Sequence, residues 1–157
     1  MKRIETERLY LKRAKFEDAH FIYELLNSDS WLKYIGDKKI TTEKKAKDYI
    51  QKTLLEEYDK YRFGLLTVSL KDETSIGLCG FLKRDYLEDA DIGFAFLPEF
   101  EGMGYAYEAA NAMMQYGQSE LGLKRVLAIC METNQRSLQL LSKLGFNNST
   151  YNNDLAP

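Results

Sequence analysis

The 157-residue chain has few of the residues that build metal and redox sites. It contains two cysteines and one histidine, too few for a structural zinc site with four such ligands. Cys79 and Cys130 each lie in an apolar run, which predicts two buried, reduced thiols. A catalytic cysteine would need a histidine close by, and His20 lies in a polar helical segment where we expect it at the surface. The sequence therefore predicts neither a metal site nor cysteine chemistry.

The chain also lacks an excess of one charge and a long apolar segment. Its 22 basic and 24 acidic residues leave a formal net charge of −2, so no net field attracts nucleic acid or an anionic membrane. No segment approaches the roughly 20 apolar residues of a membrane span, and the first residues lack the apolar core of a signal peptide. We therefore expect a soluble, cytoplasmic protein with no nucleic-acid or membrane partner.

The hydrophobic pattern predicts one α/β (α+β) domain over residues 1–157, with an irregular tail at 147–157. Strands are expected at 8–13, 63–70, 75–83, 90–97 and 125–130, and helices at 16–27, from Thr41 or Thr42 to 58, at 104–121 and at 134–145. The segment 28–37, which holds the only tryptophan, is predicted to be a loop, and Gly93 to be a candidate bulge. The predicted order is β-α-α-β-β-β-α-β-α.

The stretch E-F-E-G-M-G-Y-A-Y-E-A-A, residues 99–110, places two glycines between an apolar strand and an alanine-rich helix. A helix N-terminus exposes unpaired N–H groups, and glycines that let the backbone approach a ligand turn it into an anion site. A Gly-x-Gly turn before a helix is also often only a turn. The Gly-Lys-Ser/Thr of a P-loop and the third glycine of a dinucleotide fingerprint are both absent. From these residues alone, both a phosphate site and a plain turn stay open.

Three segments together resemble the GCN5-related N-acetyltransferase (GNAT) family, in particular its branch of ribosomal-protein N-terminal acetyltransferases. They are E-T-E-R-L-Y-L-K-R from residue 5, I-G-F-A-F-L-P-E-F-E-G-M-G-Y-A-Y-E-A from residue 92, and N-Q-R-S-L-Q-L-L-S-K-L-G-F from residue 134. The signature of the family is Gln or Arg, two residues, Gly, one residue, then Gly or Ala, and it falls on Glu101, Gly104 and Ala106. The resemblance implies a single mixed, mostly antiparallel sheet, flanked by helices and splayed at its central strands.

The resemblance further implies that acetyl-CoA donates an acetyl group directly to a primary amine, whether on a protein N-terminus, a polyamine or a small molecule. The pyrophosphate is expected on the turn, the pantetheine arm beside the central strand, and the last helix against the arm. The residues expected to bind acetyl-CoA are Phe94, Phe96, Leu97, Glu101, Gly102, Met103, Gly104, Tyr105, Ala106, Tyr107, Asn134 and Ser137.

Glu101 departs from the signature, because a carboxylate beside phosphate repels it. We expect its side chain to turn to solvent and its main chain alone to contribute. If the carboxylate does lie near the phosphates, Glu101→Gln should strengthen the binding of acetyl-CoA.

Transfer of an acetyl group from a thioester needs a base for the amine, a donor to the oxyanion and an acid for the thiolate. The family resemblance places the oxyanion donor at a backbone N–H near Phe96. Asp91 and Glu132 are candidate bases, although a surface position without a role is at least as strong an alternative for both. Relatives use a tyrosine acid on the last helix, where this chain has Leu141, so Ser137 is the candidate acid. Trp31 and Tyr34 are expected to wall the acceptor site.

Two alternatives stay open at this stage. The missing tyrosine and the acidic Glu101 favour a non-catalytic acetyl-CoA-binding or assembly module, and a plain αβ domain whose glycine turn binds nothing is the third reading. Only 11 residues follow Phe146, and they do not resemble the two strands with which family members end. The sequence therefore predicts an exposed sheet edge, for which a homodimer is one remedy.

Overall fold

A single six-stranded sheet organises the protein in the computed structural model, which describes residues 3–147. The strands are β1 (Ile4–Glu5), β2 (Leu9–Lys12), β3 (Leu65–Leu70), β4 (Ser75–Leu82), β5 (Asp91–Phe96) and β6 (Leu127–Ala128). They lie in the order in which they occur along the chain. All neighbours are antiparallel except β5 and β6, which run parallel. The mixed, mostly antiparallel sheet expected from the resemblance is confirmed.

The helices flank this sheet, and one long helical segment is irregular. They are α1 (Ala19–Leu26), α2 (Asp29–Tyr34), α3 (Glu43–Tyr49), α4 (Glu56–Tyr61), α5 (Tyr105–Ser119) and α6 (Gln135–Lys143). A wider π-helical stretch, Ile50–Leu55, joins α3 to α4. Thr42 caps α3, since its hydroxyl accepts from the Lys45 N–H at 3.1 Å. Among the described residues, none of these helices has the length and apolar character needed to cross a membrane.

Several details differ from the sequence-based expectations. The expected loop 28–37 contains α2, because the Ser28 hydroxyl caps the helix and the side chain of Trp31 is buried. The strand β1 was not expected, and the strand expected at 125–130 shortens to two residues. Gly93 is not a bulge: it pairs with Gly80 in continuous register. The irregularity of the sheet lies between Val68 and Ser69 instead. Of the predicted tail at 147–157, residues 148–157 lie outside the described residues.

Alternating side chains of the sheet feed two apolar cores, one on each face. On β4, Cys79 and Phe81 join the core beneath α5, whereas Leu78 joins the core beneath α1 to α3. Gly117 brings α5 close to the sheet, since a Cβ at this position would lie 2.7 Å from the ring of Phe81. This packing fixes α5 against the middle of the sheet.

The sheet opens between its last two strands. Within the described part of the chain, β5 pairs with β6 only at Asp91–Leu127 and Ile92–Ala128. From Gly93 onwards β5 still pairs with β4, but its other edge no longer pairs with β6. This opening is the splay that the resemblance implied.

Candidate active site

The open edge of β5 presents backbone hydrogen-bonding groups to the gap. The Leu97 N–H donates to the Ile76 carbonyl on the β4 side at 2.9 Å. Peptide groups alternate along a strand, so those of Phe94 and Phe96 face away from β4, toward the gap. An extended molecule in the gap can therefore pair with β5 as a further strand would.

A glycine turn connects the end of β5 to the first residue of α5. Gly102 and Gly104 have φ angles of +78° and +84°, in the left-handed region that favours glycine. Gly104 is the N-cap of α5, and its carbonyl accepts from the Glu108 N–H at 3.0 Å. The first N–H groups of this 15-residue helix have no partner within the helix and carry its positive dipole end. The turn therefore leaves N–H groups available to an anion.

The N-terminal segment E-T-E-R braces this turn from outside. The guanidinium of Arg8 donates to the Met103 carbonyl at 3.1 Å and to the Glu108 carboxylate at 2.7 Å. The hydroxyl of Thr6 donates to the same carboxylate at 2.6 Å. These contacts tie β1 and β2 to the start of α5, so the first and second resembling segments meet in space.

A cleft of about 1860 Å³ runs from the turn along the open edge of β5 and brings most of the predicted residues together. The predicted residues that line it are Trp31, Tyr34, Asp91, Phe94, Phe96, Glu101, Gly102, Gly104, Ala106, Tyr107, Glu132, Asn134 and Ser137. The predicted residues Leu97, Met103 and Tyr105 do not line it.

The last helix enters the cleft with its N-terminal turn. Asn134 caps α6, because its side-chain oxygen accepts from the Ser137 N–H at 3.2 Å. Ser137 is half-buried beside this cap. Leu141, at the place of the family tyrosine, also lines the cleft and is 8% exposed. The chain therefore presents an apolar side chain at the place where the resemblance implied a tyrosine.

Glu101 does not turn to solvent, contrary to the expectation from the sequence. Its carboxylate accepts a hydrogen bond from the Ser30 hydroxyl at 3.3 Å and lies 3.8 Å from a guanidinium nitrogen of Arg136. The side chain is 27% exposed. This arrangement was not predicted because the segment 28–37 was expected to be a loop, whereas it contains α2, the helix that brings Ser30 to the turn.

The opposite end of β5 carries a buried ion pair. Asp91 is 1% exposed, and its carboxylate accepts from the Arg84 side chain at 3.0 Å. Burial raises the pKa of Asp91, and the hydrogen bond and charge of Arg84 offset part of that rise. At about 3.3 Å per residue, the six residues of β5 place Asp91 roughly 17 Å from Phe96. The surface alternative for Asp91 is wrong.

The other predicted side chains differ in exposure. Trp31 is 4% exposed, and its indole N–H has no hydrogen-bond partner among residues 3–147. Tyr34 is half-buried, while Glu132 is exposed. Cys79 is fully buried as expected, but Cys130 is only half-buried and borders the cleft. The prediction of buried thiols is therefore confirmed for Cys79 only. His20 is exposed as expected.

Sequence reasoning missed seven charged residues of the cleft: Asp37, Lys38, Glu57, Lys83, Arg84, Arg136 and Lys143. Glu57 lies on α4, and burial raises the pKa of its carboxyl, while Arg84, Lys38 and Lys60 act in the opposite direction. No local motif marks it, because only the fold brings α4 to β5. Arg136 lies inside the N-Q-R-S segment, where its position two residues after the cap was a usable signal. Among the described residues, no cluster of three or more His, Cys, Asp or Glu is placed to hold a metal.

Comparisons with known proteins agree with this geometry. The family model described as an acetyltransferase (GNAT) domain matches residues 8–147. The uncharacterized N-acetyltransferase YnaD of Bacillus subtilis is 33% identical over 143 residues, covering 90% of this chain and 81% of the relative. A GNAT-family acetyltransferase structure from Bacillus anthracis superposes with a TM-score of 0.82 at 27% identity, over 99% of this chain and 90% of that one.

A solved member of the ribosomal-protein branch also has this fold. The structure of RimL, a ribosomal L7/L12 alpha-N-protein acetyltransferase in complex with coenzyme A, superposes with a TM-score of 0.80. The match covers 92% of this chain and 84% of that chain at 18% identity, which speaks for the fold alone.

Proposed function

The chain belongs to the GNAT family of acetyl-CoA-dependent N-acetyltransferases, and we propose that its acceptor is the primary amine of a protein or peptide N-terminus. The observation that carries this proposal is the continuous cleft, which joins an anion-binding turn, an open strand edge and an acceptor end of mixed charge. Each of these three parts suits one part of the reaction.

The residues of the cleft fit acetyl-CoA. The left-handed Gly102 and Gly104 leave the N–H groups of the turn accessible to pyrophosphate, and a side chain at Gly104 would press on the Arg8 guanidinium that braces the turn. The peptide groups of Phe94 and Phe96 can pair with the amide groups of the pantetheine arm. When bound, acetyl-CoA supplies the acetyl group as a thioester.

The chain itself must remove a proton from the amine and hold the acetyl carbonyl. The N–H of Phe94 or Phe96 is the proposed donor to that carbonyl oxygen, because both face the gap. We keep Asp91 and Glu132 as proposed bases and add Glu57; because Asp91 lies at the other end of β5 from Phe96, its role would be through intervening water. Burial raises the pKa of the Glu57 and Asp91 carboxyls, which makes each a stronger base than an exposed carboxylate, although Asp91 is also committed to Arg84. The Ser137 hydroxyl is the proposed proton donor to sulfur.

The charge at the acceptor end favours a peptide over a polyamine. The cleft near the N-terminal end of β5 is lined by equal numbers of acidic and basic side chains, namely Asp37, Glu57, Asp91, Lys38, Lys83 and Arg84. A polyamine with several positive charges gains most from a site with excess carboxylates. A peptide carries one reacting amine and a backbone of neutral amides, so a site with balanced charge suits it better.

Acetylation of a panel of substrates tests this proposal. Purified protein is incubated with acetyl-CoA and either N-terminal peptides, spermidine or aminoglycosides, and free thiol and acetylated product are both measured. We expect kcat/KM for the best peptide to exceed that for spermidine at least tenfold. A preference for the polyamine would overturn the choice of acceptor while leaving the acetyltransferase assignment in place.

A non-catalytic acetyl-CoA-binding module remains the second candidate, and Leu141 is the observation that favours it. This apolar side chain lines the cleft at the place of the family's tyrosine acid. Binding of acetyl-CoA without turnover of any amine in the panel would support the module.

A further inference from the structure

One face of α6 lines the cleft with two cations. Arg136, Gln139, Leu140 and Lys143 all border it, at the i, i+3, i+4 and i+7 spacing of one helical face. At 1.5 Å per residue, Arg136 and Lys143 are separated by about 10 Å along the axis. Lys143 lies over the ring of Tyr107, 4.2 Å from its centroid, at the start of α5. The helix thus presents positive charge along the side of the cleft that faces the turn.

Arg136 is tied to the turn through the residue that departs from the family signature. The carboxylate of Glu101 lies between the Ser30 hydroxyl of α2 and the guanidinium of Arg136. The same carboxylate oxygen makes both contacts, at 3.3 Å and 3.8 Å. Three elements that are distant in sequence therefore meet at one acidic side chain beside Gly102.

The contact with Arg136 changes the net charge that Glu101 brings to the turn. Alone, the carboxylate would oppose a phosphate by about 1 kcal/mol at a solvated site. Beside Arg136 it forms a pair with no net charge. A guanidinium has five N–H donors, and the single contact to Glu101 leaves the others available for phosphate oxygens. A cation from α6 thus lies beside the acidic residue of the turn.

We propose that Arg136 binds the pyrophosphate of acetyl-CoA and that Glu101 is the positioning residue that holds it there. The proposal rests on the proposed function only in that acetyl-CoA occupies this cleft. It gives the acidic residue a favourable role, in contrast to the repulsion expected from the sequence.

Calorimetric titration with acetyl-CoA, with no amine present, tests this assignment. Arg136→Gln should weaken binding at least tenfold, and the loss should shrink as salt is added, because screening reduces the contribution of an exposed charge. Arg125→Gln is the matched control. Arg125 is similarly exposed, at 67% against 64%, and has its own carboxylate partner, Asp89, at 3.7 Å, but it does not line the cleft. We expect the Arg125→Gln protein to bind acetyl-CoA as tightly as the unmodified protein does.

The double variant separates positioning from repulsion. Glu101→Gln alone should weaken binding about threefold, because Arg136 loses its holder. In the Arg136→Gln background the same change should strengthen binding, because the carboxylate there faces phosphate without its cation. This change of sign is not expected of a merely structural contact. A gain in affinity from Glu101→Gln alone would overturn the proposal, as would equal affinities of the Arg136→Gln variant and the Arg125→Gln control.

Dephospho-CoA identifies the phosphate that Arg136 contacts. It keeps the pyrophosphate but lacks the 3′-phosphate, so Arg136→Gln should weaken its binding by the same factor. A loss that disappears with dephospho-CoA would move the contact to the 3′-phosphate and contradict the assignment. Because these titrations contain no acceptor, they give the same answer whether or not the protein acetylates peptides, and melting curves confirm that each variant is folded.

Discussion

Substitution of Gly104 by alanine tests the glycine turn most sharply. Gly104 has a φ of +84°, where a residue with a Cβ is strained by roughly 1–2 kcal/mol. A Cβ there would also lie 3.2 Å from a guanidinium nitrogen of Arg8, a side chain that braces the turn. We expect a loss of stability of about 1–2 kcal/mol, which for a chain of this size lowers Tm by roughly 2–8 °C. We also expect at least a tenfold loss of affinity for acetyl-CoA, because the methyl group and the displaced turn disturb the N–H groups that face pyrophosphate.

Gly122 provides the matched control for this experiment. It has a φ of +68°, and a Cβ at this position would have no heavy atom within 4 Å. It lies after α5 and outside the cleft. Gly122→Ala should therefore show a similar fall in Tm with unchanged affinity for acetyl-CoA. Unchanged affinity of a folded Gly104→Ala protein, measured by calorimetry, would show that the phosphate site has been placed wrongly.

Three further predictions concern catalysis and assembly. Glu57→Gln should lower kcat by roughly a hundredfold. In the unmodified protein, kcat should fall at low pH with an apparent pKa above the ordinary glutamate pKa of about 4.3. The reason is that burial raises the pKa of Glu57, and the base is lost as pH falls through that raised value. A kcat and pH profile equal to those of the unmodified protein would exclude Glu57 as the base. Ser137→Ala should lower kcat with little change in KM, and a rise in KM alone would assign Ser137 to binding. The outer edge of β6 has no partner strand among the described residues, so we predict a homodimer by sedimentation, which a monomer at high micromolar concentration would contradict.

The sequence predicted the elements that local signals define. Thr42, Asn134 and the glycines at 102 and 104 mark helix starts through caps and backbone geometry, and each lies where it was expected. The apolar runs of β3, β4 and β5 were equally clear, because strands buried on both faces have few polar residues.

What the sequence did not predict depends on contacts between distant segments. The six-residue α2 is too short for a periodic signal, and it is defined by the cap at Ser28 and the burial of Trp31. Without α2, the contact of Glu101 with Ser30 could not be foreseen. For Asp91 the sequence left a candidate base and a surface residue both open, because no local signal marks its burial. Its burial depends on its ion pair with Arg84, which lies in the connection between β4 and β5, seven residues before Asp91.

Simultaneous measurement of released coenzyme A thiol and of acetylated peptide tests the central claim most directly. The account predicts that acetyl-CoA and the best N-terminal peptide give equal amounts of thiol and of peptide acetylated at its α-amine, and that both fall together in the Arg136→Gln protein at subsaturating acetyl-CoA. Failure of the protein to bind acetyl-CoA, or release of thiol without acetylation of any amine, would contradict it.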